Sequence, residues 1–324
     1  MEQQSKRKLL YFLAGIITCI AVYSLYFSYS VFKDSECSSD LDIVVEPNSS
    51  GVDIAQLIVE NKITDNVTLA KATVGIMGFL GYHVKVGEYL VPRNTSLYLT
   101  IKILAVGKKI IRKITIPEGF SIAQVIDRLN ENEFLTGQIN EIPEEGSLMP
   151  DTYCFCYPTE RQKIINQARQ LMKDFISKEW PKRSQICNLK TPREVIILAS
   201  IVEKESFLDR ELVASVYLNR LKKNMRLQAD PTVIYGLTKG HPFMRKLLYR
   251  DLKNTENPYN TYRKNGLPPT AIANPGRESI LAVLHPADSE YLFFVLDKDS
   301  RHIFSKNFRD HKQIRKNIST RQGK

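Results

Sequence analysis

The sequence predicts an α+β protein made of an N-terminal transmembrane helix, a small α/β module and a larger mixed α+β domain. Three observations support this fold class. Residues 9–32 form an uncharged apolar run that is long enough to cross a bilayer as one helix. Strand patterns followed by capped helices recur between residues 42 and 130. Helical and strand patterns then alternate in the remainder of the 324-residue chain, which has room for two or three units.

The N-terminal segment, residues 1–33, is predicted to be a cytoplasmic N-terminus followed by a membrane anchor. Three basic residues, Lys6, Arg7 and Lys8, precede the apolar run, and such residues favour the cytoplasmic side. The alternative is a cleaved signal peptide. However, the apolar run is longer than that of a usual signal, and no clear small-x-small cleavage site follows it. We therefore expect a single-pass protein with the chain after the anchor outside the cytoplasm.

Composition narrows the class of partner. A net charge of +11 is typical of proteins that bind nucleic acid, an anionic membrane surface or an acidic polymer. The predicted location outside the cytoplasm argues against nucleic acid. Cys154 and Cys156 lack the two-residue gap of zinc or thioredoxin motifs, so free buried thiols are expected, with one or two disulfides as the alternative. The five histidines show no metal-ligand spacing, and neither a metal nor a cofactor is predicted.

Residues 34–116 are predicted to form the small module, which begins with a strand over residues 42–46. Two similar segments each have a cap candidate, Asp53 or Ser121, three residues before a glutamine, and each predicts the start of a short helix. Residues 96–104 are ambiguous, because their alternating apolar side chains favour a strand and their cap-like start favours a helix. The pattern also predicts a helix near residues 66–80 and strands near residues 82–91 and 109–116.

An apolar helix is predicted at the centre of the larger domain, residues 117–324. Thr191 can cap this helix, Pro192 suits its first position, and Glu194 completes a capping box. The following residues, 195–202, are apolar nearly all round, which is typical of a helix buried in a domain core.

This apolar helix ends in two glutamates, Glu203 and Glu205, which are candidates for acid–base chemistry. At roughly 100° per residue they point about 160° apart, and Glu205 shares the bulkier apolar face with Leu198 and Ile201. A carboxyl held against apolar groups loses solvation, which raises its pKa and suits it to act as a general acid near neutral pH. The alternative is that both glutamates belong to a solvated C-terminal turn.

The remaining residues of the larger domain predict several shorter elements. They are a polar link at 129–146, a Pro-Asp turn at 147–153, a basic helix at 164–177, a helix at 211–224 capped by Asp209, a helix start at Asp230, a helix at 277–284, a hairpin of strands 291–296 and 302–305, and a basic helical tail from 306. Residues 257–275 are rich in amide and phenol groups, which suit sugar hydroxyls; the alternative is a structural loop over the core.

Five motifs occur in an order that resembles one known family. They are ASIVEKE at 199–205, MRLQADPTVIYG at 225–236, YNTY at 259–262, GLPP at 266–269 and AIANPG at 271–276. Together, over roughly residues 117–310, they resemble the MltG/YceG family of membrane-anchored endolytic murein transglycosylases. The resemblance places the family's catalytic glutamate on Glu205 and makes residues 117–324 the catalytic domain. More loosely, the small module resembles LysM modules, which bind N-acetylglucosamine chains.

The resemblance implies a lyase that cleaves the β-1,4 bond between N-acetylmuramic acid and N-acetylglucosamine in nascent peptidoglycan strands. The C6 hydroxyl of muramic acid would attack its own C1 and leave a 1,6-anhydro end, with one glutamate acting as general acid and then as general base. The implied location is the periplasmic face of the bacterial cytoplasmic (inner) membrane, near peptidoglycan synthases as candidate partners. Predicted substrate contacts are Gln228, Asp230, Tyr235, Asn260 and Tyr262.

Two other functions stay open from the residues alone. The chain could be a non-catalytic, membrane-anchored protein that binds peptidoglycan as a scaffold. It could also be a hydrolase that uses Glu205 together with Asp209 or Asp230, since most glycoside hydrolases need two carboxylates. The products distinguish these functions, because a binder releases no fragments and a hydrolase leaves reducing muramic ends.

Overall fold

The computed structural model describes residues 2–35, 37, 39–206, 208–297 and 301–322. The chain divides into two compact units, one formed by Met1–Arg112 with Cys154–Thr159 and the other by Lys113–Tyr153 with Glu160–Lys324. Both units combine helices with short strands, so the predicted mixed α+β content is confirmed. The LysM likeness and the predicted domain limits stay predictions.

The first unit begins with a long apolar helix, α1 (Glu2–Phe32). Its segment Gln4–Phe32 is long and apolar enough to cross a membrane, and its most apolar window is not buried within the protein. An apolar helical stretch that the described residues leave uncovered is suited to an apolar solvent such as the core of a bilayer. The helix therefore fits a single-pass membrane anchor.

The rest of the first unit is a small α/β core. Its elements are β1 (Leu41–Val45), α2 (Gly51–Glu60), α3 (Val67–Phe79), β2 (Gly87–Val91) and α4 (Leu97–Val106). The two strands pair antiparallel, with Leu41 opposite Val91 and Val45 opposite Gly87. Side chains from both strands and all three helices form one buried cluster.

The structure decides two predictions for this unit, the element formed by residues 96–104 and the cap of α2. The ambiguous residues 96–104 form α4, because Leu97, Ile101 and Leu104 recur at helical spacing and are buried. The predicted cap at Asp53 is wrong. Ser50 caps α2 by accepting from the backbone N–H of Asp53, whose carboxylate accepts in return from the Ser50 backbone.

The elements that follow α4 along the chain belong to the second unit, except that Arg112 of β3, the last two residues of β5 and Thr159 of β6 are counted with the first. They are β3 (Arg112–Ile116), α5 (Ile122–Asn130), β4 (Leu135–Thr136), β5 (Asp151–Phe155), β6 (Thr159–Glu160), α6 (Arg161–Glu179), α7 (Pro192–Glu205), α8 (Arg210–Lys222), α9 (Asp230–Thr238), α10 (Tyr249–Lys253), α11 (Arg277–Leu284), β7 (Phe293–Leu296), β8 (His302–Ser305) and α12 (Phe308–Gln322). The strands pair as β3 with β5, β4 with β6, and β7 with β8. The last pair is the predicted hairpin, which is antiparallel; residues 298–300 of its turn lie outside the described residues.

Helix α7 lies at the centre of the second unit, as predicted. Thr191 and Glu194 form the reciprocal capping box, and Pro192 is the first helical residue. Side chains along α7, among them Leu198 and Ile201, are fully buried against α8 and α11. A central helix of this kind fixes the position of whatever stands at its C-terminal end, which is Glu205.

Three other predictions need correction. Asp209 precedes α8, but its side chain does not cap the helix; its carboxylate accepts from the backbone N–H of His302 at 3.2 Å. The segment predicted as a Pro-Asp turn continues into strand β5, because Tyr153 and Phe155 alternate into the core. The five cysteines are all unpaired, but only Cys187 is buried.

Candidate active site

Glu205, the last residue of α7, lines a cavity of about 290 Å³. The other lining residues are Glu203, Lys204, Ser206, Leu208, Leu296 and His302. The pKa of Glu205 is raised to about 7, mainly by burial and also by the negative charge of Asp230. A hydrogen bond from Tyr217 and the positive charge of Arg220 act in the opposite direction and lower this pKa. The main cause is desolvation, which favours the neutral carboxyl. At neutral pH both protonation states of Glu205 are therefore populated.

Tyr217 positions this carboxyl from the neighbouring helix α8. Its side chain is 1% exposed, and its ring meets Phe294 edge-on at 5.8 Å between centroids. Burial raises the pKa of its phenol well above the ordinary value, so the hydroxyl keeps its proton and donates to Glu205. Because α7 and α8 pack side by side in the core, this hydrogen bond holds the carboxyl in one orientation.

Arg220, one turn further along α8, provides a fixed positive charge near Glu205. Its guanidinium is buried and donates to the carbonyl of Leu292 at 2.6 Å and to that of Leu227 at 2.7 Å. These acceptors are neutral carbonyls, so they hold the guanidinium in place without cancelling its charge. The charge lowers the pKa of Glu205 and so offsets part of the desolvation.

Two of the residues predicted to contact substrate lie beside Glu205. The hydroxyl of Tyr262 donates to Asp230 Oδ1 at 2.7 Å. The charge of Asp230 raises the pKa of Glu205, and burial, Asp230 and Glu205 together raise that of Tyr262. Gln228 is exposed two residues before Asp230, and its backbone N–H is held by the carbonyl of Thr261. The role of these three residues in substrate binding stays a prediction.

The other two predicted contacts lie elsewhere. Asn260 is fully buried, and its amide donates to the carbonyls of Asp251 and Leu252 in α10 and of Asn254 just after it, so its side chain is engaged in holding the end of α10. Tyr235 donates its hydroxyl to Glu145 Oε2 at 3.0 Å and lines a different cavity of about 570 Å³. The larger cavity is therefore not the one that contains Glu205.

Glu203 has a different environment from Glu205. Its carboxylate accepts from the backbone N–H of Gly276 at 2.9 Å and lies 3.4 Å from the guanidinium of Arg210. Only 2% of its side chain is exposed, which excludes the alternative of a solvated helix end. A buried carboxylate bound by a cation and a backbone N–H favours a structural role, so Glu205 is the better candidate acid.

Three residues at these sites were missed by sequence reasoning: Tyr217 and Arg220 beside Glu205, and Glu145 in the larger cavity. One signal was available for Tyr217, since a tyrosine on an inward helix face needs a partner for its hydroxyl. Arg220 and Glu145 carried no such signal. In the residues that the structure describes, no group of three or more histidine, cysteine, aspartate or glutamate side chains could hold a metal ion.

Comparison with known proteins identifies the family. The sequence model of the YceG-like family matches residues 43–317. An endolytic murein transglycosylase from Bacillus subtilis (strain 168) is 30% identical over 330 residues, covering 91% of this chain and 89% of that protein. One of the same name from Streptococcus pneumoniae serotype 2 is 25% identical over 277 residues, and the chain spans about half (49%) of its length.

A solved structure gives the same result. The crystal structure of a YceG-like protein from Listeria monocytogenes matches with a TM-score of 0.52 and 29% identity, covering 86% of this chain and 100% of that one. The family resemblance predicted from the five sequence motifs is thus confirmed. On the extent of the family match and the identity to the Bacillus relative, this chain belongs to the YceG-like family.

Proposed function

We propose that this chain is an endolytic murein transglycosylase, a lyase that cuts the β-1,4 bond between N-acetylmuramic acid and N-acetylglucosamine within glycan strands. The observation that carries the proposal is Glu205, a residue that lines a cavity and whose carboxyl has its pKa raised to about 7 by burial. The names of the Bacillus and pneumococcal relatives support the same reaction class.

The chemistry needs one carboxyl that changes state during the reaction. Protonated Glu205 donates its proton to the glycosidic oxygen as the bond to C1 of muramic acid breaks. The resulting carboxylate then accepts the proton of the C6 hydroxyl while O6 bonds to C1 and closes the 1,6-anhydro ring. No water is consumed, and the intramolecular attack gains from a high effective molarity. A pKa near 7 makes Glu205 able to serve in both steps.

The anchor gives the proposed enzyme a location. Helix α1 fits a single membrane span, and Lys6, Arg7 and Lys8 at its start favour an N-terminus in the cytoplasm. The second unit would then lie on the periplasmic face of the cytoplasmic membrane, where nascent glycan strands emerge. Peptidoglycan synthases at that face are candidate partners, and the excess positive charge suits anionic surroundings.

A hydrolase is the second candidate, because the carboxylate of Asp230 acts on the pKa of Glu205 and so lies near it. Asp209 is less suited to be the second carboxylate, since it is bound to His302. Mass spectrometry of fragments released from purified sacculi by the full-length protein separates the candidates. Anhydro ends, lighter than reducing ends by one water, are expected. Reducing ends would support hydrolysis, and the absence of fragments would support a binding protein.

The pH dependence of cleavage follows from the raised pKa of Glu205. The first step requires the protonated carboxyl, so kcat/KM is expected to fall as pH rises above about 7, approaching tenfold per pH unit. Rates measured from pH 5 to pH 9 on one glycan preparation test this. A rate that stays constant up to pH 9 would contradict the role of Glu205 as the acid.

Replacement of Tyr217 by phenylalanine is expected to move this alkaline limb to higher pH. The hydroxyl of Tyr217 lowers the pKa of Glu205 by donating a hydrogen bond to its carboxylate. Loss of the hydroxyl is therefore expected to raise the pKa of Glu205 further. The measurement is the pH–rate profile of Tyr217→Phe. Tyr249→Phe, which alters an exposed tyrosine of α10, serves as control and should leave the profile unchanged. An unshifted limb in Tyr217→Phe would show that this hydrogen bond does not tune Glu205.

A further inference from the structure

The cavity of about 570 Å³ in the second unit is separate from the one that contains Glu205. Its wall includes Ile196 of α7, nine residues before Glu205 on the same helix. That spacing corresponds to about 13 Å along the helix axis and about half a turn around it. The volume lies within the range of roughly 300–1,000 Å³ that is usual for small-ligand sites. The proposed chemistry at Glu205 does not use this cavity.

Three basic side chains line the cavity. Arg169 and Lys173 stand one turn apart on α6, and Arg193 lies in the first turn of α7. Arg169 is paired with Glu141 at 3.1 Å. Among the described residues, neither Lys173 nor Arg193 has a carboxylate partner, and Arg193 donates to the carbonyl of Pro269 at 3.2 Å. Two exposed cations therefore remain able to bind an anionic group.

Two carboxyl groups also line the cavity. Glu145 accepts from the backbone N–H of Ile122 at 2.9 Å and from the hydroxyl of Tyr235 at 3.0 Å, and burial raises its pKa to about 7. Glu144 beside it is exposed. Apolar side chains line the rest of the cavity and are called its apolar floor: Met172, Ile176, Ile196, Ile197 and Ala271. The cavity thus offers cations, carboxyl groups and apolar side chains to a ligand.

We propose that this cavity binds a short peptide with a free carboxylate, which on the proposed function is the stem peptide carried by muramic acid. The carboxylate would lie against Arg193 and Lys173, since a guanidinium fork matches carboxylate geometry. Alanine methyl groups of the peptide would contact the apolar floor, and an amine of the peptide would face Glu144 and Glu145. A fully extended peptide of about five residues spans about 17 Å, against about 13 Å of helix axis between Ile196 and Glu205 and about 18 Å between Arg193 and Glu205.

The test compares two substrates on the full-length protein. Arg193→Gln combined with Lys173→Gln is expected to lower kcat/KM about tenfold on strands that carry stem peptides. On strands from which an amidase has removed the peptides, the same variant should match the wild type. Lys163→Gln combined with Lys178→Gln removes two exposed charges of α6 that do not line the cavity, and should change neither rate. Equal losses on both substrates, or no loss on either, would overturn the proposal.

A binding measurement separates this proposal from the proposed enzyme function. Isolated stem peptide, titrated by calorimetry, is expected to bind the wild type and Glu205→Gln alike and to lose affinity about tenfold or more for the Arg193/Lys173 variant. If the protein binds the peptide but releases no anhydro fragments, the enzyme function fails and the peptide site stands. If it releases fragments but binds no peptide, the peptide site fails alone. Weakened binding of peptide-free glycan to the Arg193/Lys173 variant would assign the cavity to the sugar chain and overturn the proposal.

Discussion

Glu205→Gln is expected to lower the release of anhydro-ended fragments by at least about 10³-fold while the protein stays folded. General acid–base catalysis by one residue typically contributes 10²–10⁴-fold, and here both proton transfers are proposed to depend on the same carboxyl. The amide can neither donate an acidic proton to the glycosidic oxygen nor accept one from the C6 hydroxyl. Its carbonyl oxygen can still accept from Tyr217, so the cavity should keep its shape. Mass spectrometry of fragments, with circular dichroism of the variant, measures both outcomes.

The stability of Glu205→Gln gives an independent readout of the same carboxyl. Burial raises the pKa of Glu205 from about 4.5 to about 7, so the folded protein holds a proton there that the unfolded chain has lost. That contribution to stability is fully present below pH 4.5 and is lost as pH rises through 7. At pH 8 the wild type must keep a partly buried carboxylate ionised, whereas the variant carries a neutral amide. The variant is therefore expected to melt at a higher temperature than the wild type at pH 8.

Two other glutamates serve as controls for this variant. Glu203→Gln weakens the contacts with Arg210 and the Gly276 backbone, and is expected to reduce stability rather than to abolish chemistry selectively. Glu211→Gln, at an exposed position of α8, should alter neither property. If Glu205→Gln kept near wild-type activity, the catalytic role would have to move to Glu203 or to another acid.

Those parts of the fold that depend on neighbouring residues were predictable from sequence. The capping box of α7 needs only Thr191, Pro192 and Glu194, which lie within four positions of one another. Helix α4 was ambiguous, because alternation and helical spacing overlap in a short apolar run. Burial of Leu97 and Ile101 against the rest of the first unit decides for the helix, and that burial is a tertiary property. Strand β5 was missed for the same reason, since its pairing partner lies far away in the chain.

The candidate site shows the same division between local and long-range information. The apolar face that Glu205 shares on α7 is local information, so the direction of its pKa shift was predictable from helical geometry. The hydrogen bond between Tyr262 and Asp230 joins residues 32 positions apart, and that between Tyr235 and Glu145 joins residues 90 apart. The sequence motifs predicted Asp230, Tyr235 and Tyr262 together as substrate contacts. They could not tell which face of the fold each residue occupies, so Tyr235 was grouped with Glu205 although it lines another cavity.

Replacement of Arg210 by methionine is expected to lower the free energy of unfolding by about 3–5 kcal/mol. The guanidinium is 8% exposed and lies 3.4 Å from Glu203, 3.6 Å from Glu118 and in contact with Glu278. Without it, Glu203 would be a buried carboxylate whose described hydrogen bond comes from the Gly276 backbone alone. Truncating one partner of a buried ion pair leaves the other charge buried and unpaired. The free-energy cost of such a charge is larger than the stabilisation that an exposed ion pair provides. Denaturant unfolding of the full-length protein at pH 7 measures the change.

The carboxylates that pair with Arg210 differ widely in exposure, so variants of each can show whether the buried pair or the surface pair stabilises the fold. The side chain of Glu278 is 75% exposed, so Glu278→Gln should cost less than about 1 kcal/mol. Glu203 is 2% exposed, so adding Glu203→Gln to Arg210→Met removes the uncompensated carboxylate and should recover part of the lost stability. If Arg210→Met were no more destabilising than Glu278→Gln, or if the double variant recovered nothing, the pairing of Glu203 with Arg210 would not be what stabilises the end of α7. Glu205 would then owe its position to the hydrogen bond from Tyr217 and to the packing of α7 alone.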